Sequence, residues 1–264
     1  MAYATITLER DGRVAILTFN RPQAMNSFNP DMLADLEDAL DELGRDSGTS
    51  VVVLTGAGRC FSAGGDVKFF ARRIAEQEPA YETRAYLRRV QEMMRRFTTL
   101  DKPTIAAVHG AAVGGGMNFA LACDIRIAAE DARFGEAFIN VGLGIDMGGG
   151  WLLPRIVGVG KACEIIFTGD IFDAREAERI GLVSKVVPAA ELMPAAMALA
   201  QKIAAKAPLG LAFSKAIIYK GLQTDFATSL EHESECAVFA VRTEDHKEAV
   251  AAFIEKRPAV FKGC

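Results

Sequence analysis

The chain has 264 residues, half of them hydrophobic and 24% charged, enough to bury the core of one large domain. A formal net charge of −4 supplies no basic field for nucleic acid. Five scattered cysteines without a C-x-x-C, and three histidines that do not cluster, argue against a disulfide frame or a metal centre. The start, Met1-Ala2-Tyr3-Ala4-Thr5-Ile6, lacks the basic and apolar blocks of a signal peptide, and no run is apolar enough to span a bilayer. A cytoplasmic protein with neither a nucleic-acid nor a membrane partner is expected.

In chain order, residues 3–9 alternate and 13–19 are β-rich, with Asp11-Gly12 as a hairpin turn between them. Residues 30–44 predict a helix, with Asn29 as its cap, Pro30 in the first turn, and Met32, Leu33, Leu36, Leu40 and Leu43 on one face. Ser50 to Thr55 reads as a buried strand closed by Gly56. The charged stretch 71–100 is helical in period, with a break at Pro79. A second buried strand, Thr104 to Val108, leads into glycines at 110–116, an apolar helical run and a strand from Ile125. A strand, Gly-rich turn, helix rhythm therefore occurs twice, which predicts an α/β core. Beyond Pro188 the pattern is almost wholly helical (191–206, 208–222, 225–240, 244–256), with more apolar surface than one small lobe can cover.

Three loops are candidates for chemistry. The first, Gly56 to Val67, has Phe61 where a dinucleotide fingerprint needs its third glycine, and no G-K-[ST] closes it. Gly158-Val159-Gly160-Lys161 fails as a phosphate loop because Ala162 follows. The second loop, His109 to Asn118, opens an apolar helix with three glycines, each costing roughly 1 kcal/mol against alanine. One such loop reads as tight packing. Two, each after a buried strand, offer one backbone N–H apiece to a single anionic oxygen. The third loop, Val141 to Trp151, sets Asp146 among Ile145, Met147 and Trp151. The pattern alone leaves Asp146 either a solvated turn residue or a buried carboxyl of raised pKa.

Six segments in order resemble the enoyl-CoA hydratase/isomerase (crotonase) family over nearly the whole chain. They are Asn20-Arg21-Pro22 with Asn26, Gly64 to Lys68, Ala107 to Gly116 ending at Cys123-Asp124-Ile125-Arg126, Leu153-Pro154-Arg155, Gly181-Leu182-Val183, and Phe253 to Pro258. The resemblance implies an α/β spiral of ββα units over 1–190, and a C-terminal helical region over 191–264 that packs between subunits as a trimer or pair of trimers. It implies an acyl-CoA substrate, no cofactor beyond its coenzyme A, and oxyanion donors at the N–H groups of Gly65 and Gly115. Coenzyme A is expected along Arg21, Ala24, Met25, Ala63, Asp66 and Val67, with Lys256 near a phosphate.

The resemblance also exposes a departure. The positions at which the family's hydratases carry two glutamates hold Asn118 and Phe138, and neither side chain can act as a carboxylate base. Glu136 lies two residues before Phe138, but Phe134-Gly135 sets the register against it. Family isomerases place an aspartate in the third loop, as Asp146 is placed here. The expected reaction is therefore a 1,3-proton shift by Asp146, with Met117, Phe138 and Trp151 lining a dry acyl pocket. Other readings are hydration, attack by Asp146 on an aromatic acyl-CoA (disfavoured by the absence of histidine from helix 84–97), a Ser62–His109–Asp124 hydrolase without a G-x-S-x-G elbow, and a non-catalytic acyl-CoA binder.

Overall fold

The fold, a computed structural model, describes residues 3–264; Met1 and Ala2, which head the N-terminal start read above, lie outside the described residues. Strands β1 (Ile6–Asp11) and β2 (Val14–Phe19) form the expected hairpin, paired from Ile6↔Phe19 to Asp11↔Val14. Helix α1 (Pro30–Arg45) starts where Asn29 Oδ1 accepts the Met32 N–H at 3.0 Å, a cap worth about 1 kcal/mol. Its buried side chains include all five apolar residues of the predicted face.

Next come β3 (Val51–Gly56), wholly buried, then α2 (Val67–Ala75) and α3 (Ala80–Thr98), separated at Pro79. Two further units repeat one plan, a long strand, a short strand, then helix. The first is β4 (Thr104–Val108), β5 (Ala111–Val113) and α4 (Gly115–Leu121). The second is β6 (Ile125–Ala129), β7 (Arg133–Gly135), a 3-10 turn at Ala137–Val141, α5 (Gly149–Val157) and α6 (Val159–Thr168). After β3 the short strand shrinks to single bridges, Ser62↔Ala112 and Phe28↔Gly65. The chain continues through β8 (Phe172–Asp173), α7 (Ala174–Arg179) and β9 (Lys185–Val187). It ends in α8 (Leu192–Ala204), α9 (Pro208–Gly221), α10 (Phe226–Ala240) and α11 (Glu244–Glu255).

Long strands build a six-stranded sheet in the order β1-β2-β3-β4-β6-β9, parallel from β2 onward; the short ones build a second sheet, β5-β7-β8. Both faces of the large sheet are covered, as parallel strands require. Alternate residues of β3 show how. Val51 and Val53 pack beneath α8 with Ile105, Ala107, Leu192 and Ala196, whereas Val52 and Leu54 join the main core with α1, α3 and α4. The short strands β5 and β7 follow directly on the carboxyl ends of β4 and β6.

The C-terminal helices differ in how they bury themselves. Helix α8 spends its alanine stripe (Ala196, Ala200, Ala204) on the sheet. Helices α9 to α11 each bury at most two residues and leave Ile218, Leu222, Phe226, Phe239, Phe253 and Ile254 exposed. Among the described residues no helix is long and apolar enough to cross a membrane, and no group of histidine, cysteine and acidic side chains could hold a metal ion.

Candidate active site

The first two loops meet because backbone hydrogen bonds zip them together. Ser62 N–H donates to Ala111 O at 2.9 Å and Val113 N–H to Ser62 O at 3.0 Å. The approach is close enough to demand glycine: a Cβ on Gly64, at φ +87°, would lie 2.6 Å from Val113 O and 3.2 Å from Gly115 N. Gly114, at φ 54° and ψ −123°, caps α4 in a conformation that side chains disfavour, and its N–H reaches Gly135 O at 2.8 Å. Among the described residues neither the Gly65 N–H nor the Gly115 N–H has a hydrogen-bond acceptor. Apolar groups flank both: the Phe70 ring stands 2.5 Å from where a Gly65 Cβ would be, and Met147 Sδ 2.7 Å from a Gly115 Cβ. Phe28 also lines Gly115, and Phe138 lies against Gly114.

Asp146 sits in the third loop, before two left-handed residues, Met147 (φ 49°) and Gly148 (φ 84°), which turn the chain into α5. Its main-chain oxygen accepts from Gly149 N at 3.0 Å and from Asn118 Nδ2 at 3.0 Å. Its carboxyl Oδ1 is buried and has no partner. Burial pushes the carboxyl up from 3.8 to about 6. Asp146 is half-buried with its Oδ1 shut off from solvent, which places it between the buried carboxyl and the solvated turn residue and closer to the first.

A second carboxyl is close by. Glu136 is 1% exposed, and its Oε2 accepts a long hydrogen bond, 3.4 Å, from the same Asn118 Nδ2. Burial first, then the charge of Asp146, push it up to about 9. The register argument excludes Glu136 from the family's second glutamate position, yet tertiary packing brings it to Asn118 by another route. Its only mark in the sequence is an acidic residue directly after a buried Phe-Gly pair. Tyr86 of α3 is also within electrostatic reach of Asp146; burial raises its phenol, Arg73 opposes, and Asp146 adds to the rise. Its i, i+3/i+4 neighbours on a charged helix give no hint of that placement.

Other expected residues are spread around this centre. Arg21 Nη2 pairs with Asp66 at 3.0 Å, and Asp66 Oδ1 caps α2 through the Lys68 N–H at 3.0 Å. Ala24 and Met25 form the 3-10 turn beside them, with Met25 O accepting from Ala63 N at 2.9 Å. Val67 is exposed at the start of α2. Met117 is fully buried in the main apolar core, and Trp151 stands at the surface beneath the Arg155 guanidinium, 4.0 Å from its ring centroid. The apolar side chains beside Gly65 and Gly115 are instead Phe28, Phe70 and Met147. Lys256 is the left-handed cap of α11.

The hydrolase constellation is not assembled. Ser62 Oγ donates to Asn26 O at 2.8 Å, His109 Nε2 lies 3.2 Å from Gly58 O, and Asp124 is engaged by Thr104, Lys215 and Tyr219.

Two sheets of long and short strands, crossed by helices and ending in a helical tail, with glycine loops converging at the strand ends, define a crotonase fold. The sequence profile of the family described as enoyl-CoA hydratase/isomerase matches residues 9–264. The chain is 42% identical over 258 residues to a short-chain-enoyl-CoA hydratase of Clostridium acetobutylicum, covering 97% of each chain. It is 39% identical over 262 residues to a crotonyl-CoA hydratase of Syntrophomonas wolfei, covering 99% of each. Among solved structures, an enoyl-CoA hydratase from Bacillus anthracis superposes with a TM-score of 0.94 at 35% identity, over 99% of this chain and 100% of that one. The chain belongs to the enoyl-CoA hydratase/isomerase family, acyl-CoA enzymes that need no cofactor beyond the coenzyme A of their substrate.

Proposed function

We propose that this protein is an enoyl-CoA isomerase that moves a double bond from C3 to C2 with Asp146 as its base. The observation that carries this reading is a half-buried carboxyl, one oxygen of which is buried without a partner, in the loop whose Met147 packs on Gly115. The N–H groups of Gly65 and Gly115 would hold the thioester oxygen, and each such donor contributes about 3 kcal/mol to the transition state. Asp146 removes a proton from C2 of a 3-enoyl-CoA. The electron pair delocalises through the existing double bond onto the thioester oxygen, giving a dienolate. The proton then returns at C4, and the double bond rests between C2 and C3. One carboxylate suffices, and a group that titrates near 6 is ionised at neutral pH while still able to hold the proton between steps. Phe28, Phe70, Phe138 and Met147 keep water from the dienolate.

Coenzyme A is assigned to the strip from Arg21, Ala24 and Met25 to Ala63, Asp66 and Val67, with Lys256 at a phosphate. The region 191–264 is assigned to subunit contact, since α9 to α11 expose Phe226, Phe239 and Phe253; a homotrimer or hexamer in the cytoplasm is the expected state, and sedimentation gives its mass. The names of the relatives favour hydration as a second reading. Against it stand Asn118 and Phe138 at the positions where the resemblance requires glutamates. Ultraviolet absorbance of the conjugated product from a 3-enoyl-CoA tests the proposal. Turnover by the native protein that Asp146→Asn loses supports it; an inert native protein that still binds acyl-CoA overturns it.

A further inference from the structure

Glu136 is a buried carboxyl for which the proton shuttle above has no use. It follows β7, is 1% exposed, and has one oxygen, Oε1, without any partner. Its other oxygen faces Asn118 Nδ2 at 3.4 Å. That same nitrogen donates to the main-chain oxygen of Asp146 at 3.0 Å. Asn118 is fully buried and so stands as a rigid link between the carboxyl of Glu136 and the backbone that carries the base. We propose that Glu136 is a positioning residue: acting through Asn118, it fixes the main chain of the third loop and thereby aims the Asp146 carboxylate. The inference rests on the reading of Asp146 as the base.

Donor counting sets the protonation state. Three oxygens of this trio are buried without a donor: Asn118 Oδ1, Glu136 Oε1 and Asp146 Oδ1. The hydrogens of Asn118 Nδ2 already face Glu136 and the Asp146 main chain. A neutral Glu136 adds one O–H to a cluster short of donors, whereas an ionised one adds none and sets two carboxylates together. The groups that face it agree. From α4 comes the amide of Asn118 and from the third loop the acid Asp146; Tyr86, from α3, reaches Asp146, and Arg73, Arg89 and Asp66 act on Tyr86 and not on Glu136. None of the groups that act on Glu136 is a cation. Asp146 therefore ionises first, near 6, and Glu136 holds its proton to about 9. In that interval the site carries one charge. Above it, a second charge disturbs both the Asn118 link and the base.

Glu136→Ala and Glu136→Gln in the full chain test this with two readouts. In infrared difference spectra between neutral pH and pH above about 9, the native protein should lose the carbonyl band of a protonated carboxyl, and both variants should lack that band. This readout needs no turnover, so it stands even if the isomerase assay fails. In kinetics with a 3-enoyl-CoA, Glu136→Ala should lower kcat about tenfold at nearly constant KM, as expected for one lost hydrogen bond. Glu136→Gln should restore kcat and remove the alkaline fall in rate. If the native enzyme is inert on 3-enoyl-CoA, exchange of the C2 proton of a saturated acyl-CoA with deuterated water provides the same comparison. A band that persists in Glu136→Gln, or an alkaline limb that it leaves in place, overturns the proposal. If Glu136→Ala does not fold, Glu136→Gln alone decides through those two measurements.

Discussion

Two largely buried polar clusters flank α4, one joined to it at Asn118 and one just past its end at Asp124, and they are built to opposite rules. At its far end, Asp124 accepts from Thr104 N (2.7 Å), Thr104 Oγ1 (3.0 Å), Lys215 Nζ (2.9 Å) and Tyr219 Oη (2.8 Å). Lys215 also donates to Lys102 O at 3.0 Å, so the cluster rivets α9 to the sheet with no polar atom unpaired. Near its start, Asn118, Glu136 and Asp146 share three of the five partnerless buried side-chain atoms among the described residues. A satisfied cluster specifies structure. A cluster left short of donors costs stability, and the cost is retained where a ligand or a moving proton completes it.

That contrast can be broken experimentally, and the largest effect is expected at Asp146. Asp146→Asn should lower isomerisation by about a thousandfold, within the range for loss of a general base, while acyl-CoA affinity measured by calorimetry survives. Asp124→Ala should do the reverse. It leaves Lys215 buried without its carboxylate, a loss of about 3–5 kcal/mol in urea unfolding. The activity of each molecule still folded should be unchanged. A parallel loss of kcat in the folded fraction would mean that the two clusters are not independent.

The pH dependence of stability sharpens the comparison. The folded Glu136 carboxyl is raised from 4.5 to about 9, so the folded state favours the protonated form. Its contribution is fully present below 4.5 and is lost as pH rises toward 9. The native protein should therefore lose about 1.4 kcal/mol of stability for each pH unit between those two values, and Glu136→Gln should flatten that slope in denaturant titrations. An unchanged slope would place the alkaline sensitivity elsewhere. The smallest effect is expected at Tyr219→Phe, which removes one of four donors to Asp124: about 1 kcal/mol of stability by thermal unfolding, and no change in rate.

How much of this was legible in the sequence depends on the length scale of the signal. The β1–β2 hairpin, α1, β3, β4 and the four C-terminal helices each repeat a period of two or 3.6 over enough residues to be read directly. The second sheet was not: β5, β7 and β8 span three residues or fewer, too short for any alternation, and exist because tertiary stacking pairs them. The glycine loops were legible because close approach admits few other residues, as Gly64 shows. Glu136 was not, because its partner Asn118 lies 18 residues away and register alone argued against it. Met117 and Trp151 were expected at the acyl group from sequence position alone. In the fold α4 is buried on every side, Met117 with it, and Trp151 of α5 stands partly exposed beneath Arg155.

The most direct test of the central claim is to offer the native enzyme a trans-2-enoyl-CoA in water carrying heavy oxygen and analyse the products by mass spectrometry. A single-carboxylate isomerase returns only enoyl-CoA, still mostly the conjugated isomer, with no heavy oxygen incorporated. A 3-hydroxyacyl-CoA bearing the heavy oxygen would contradict the account and show that this pocket hydrates without the two glutamates.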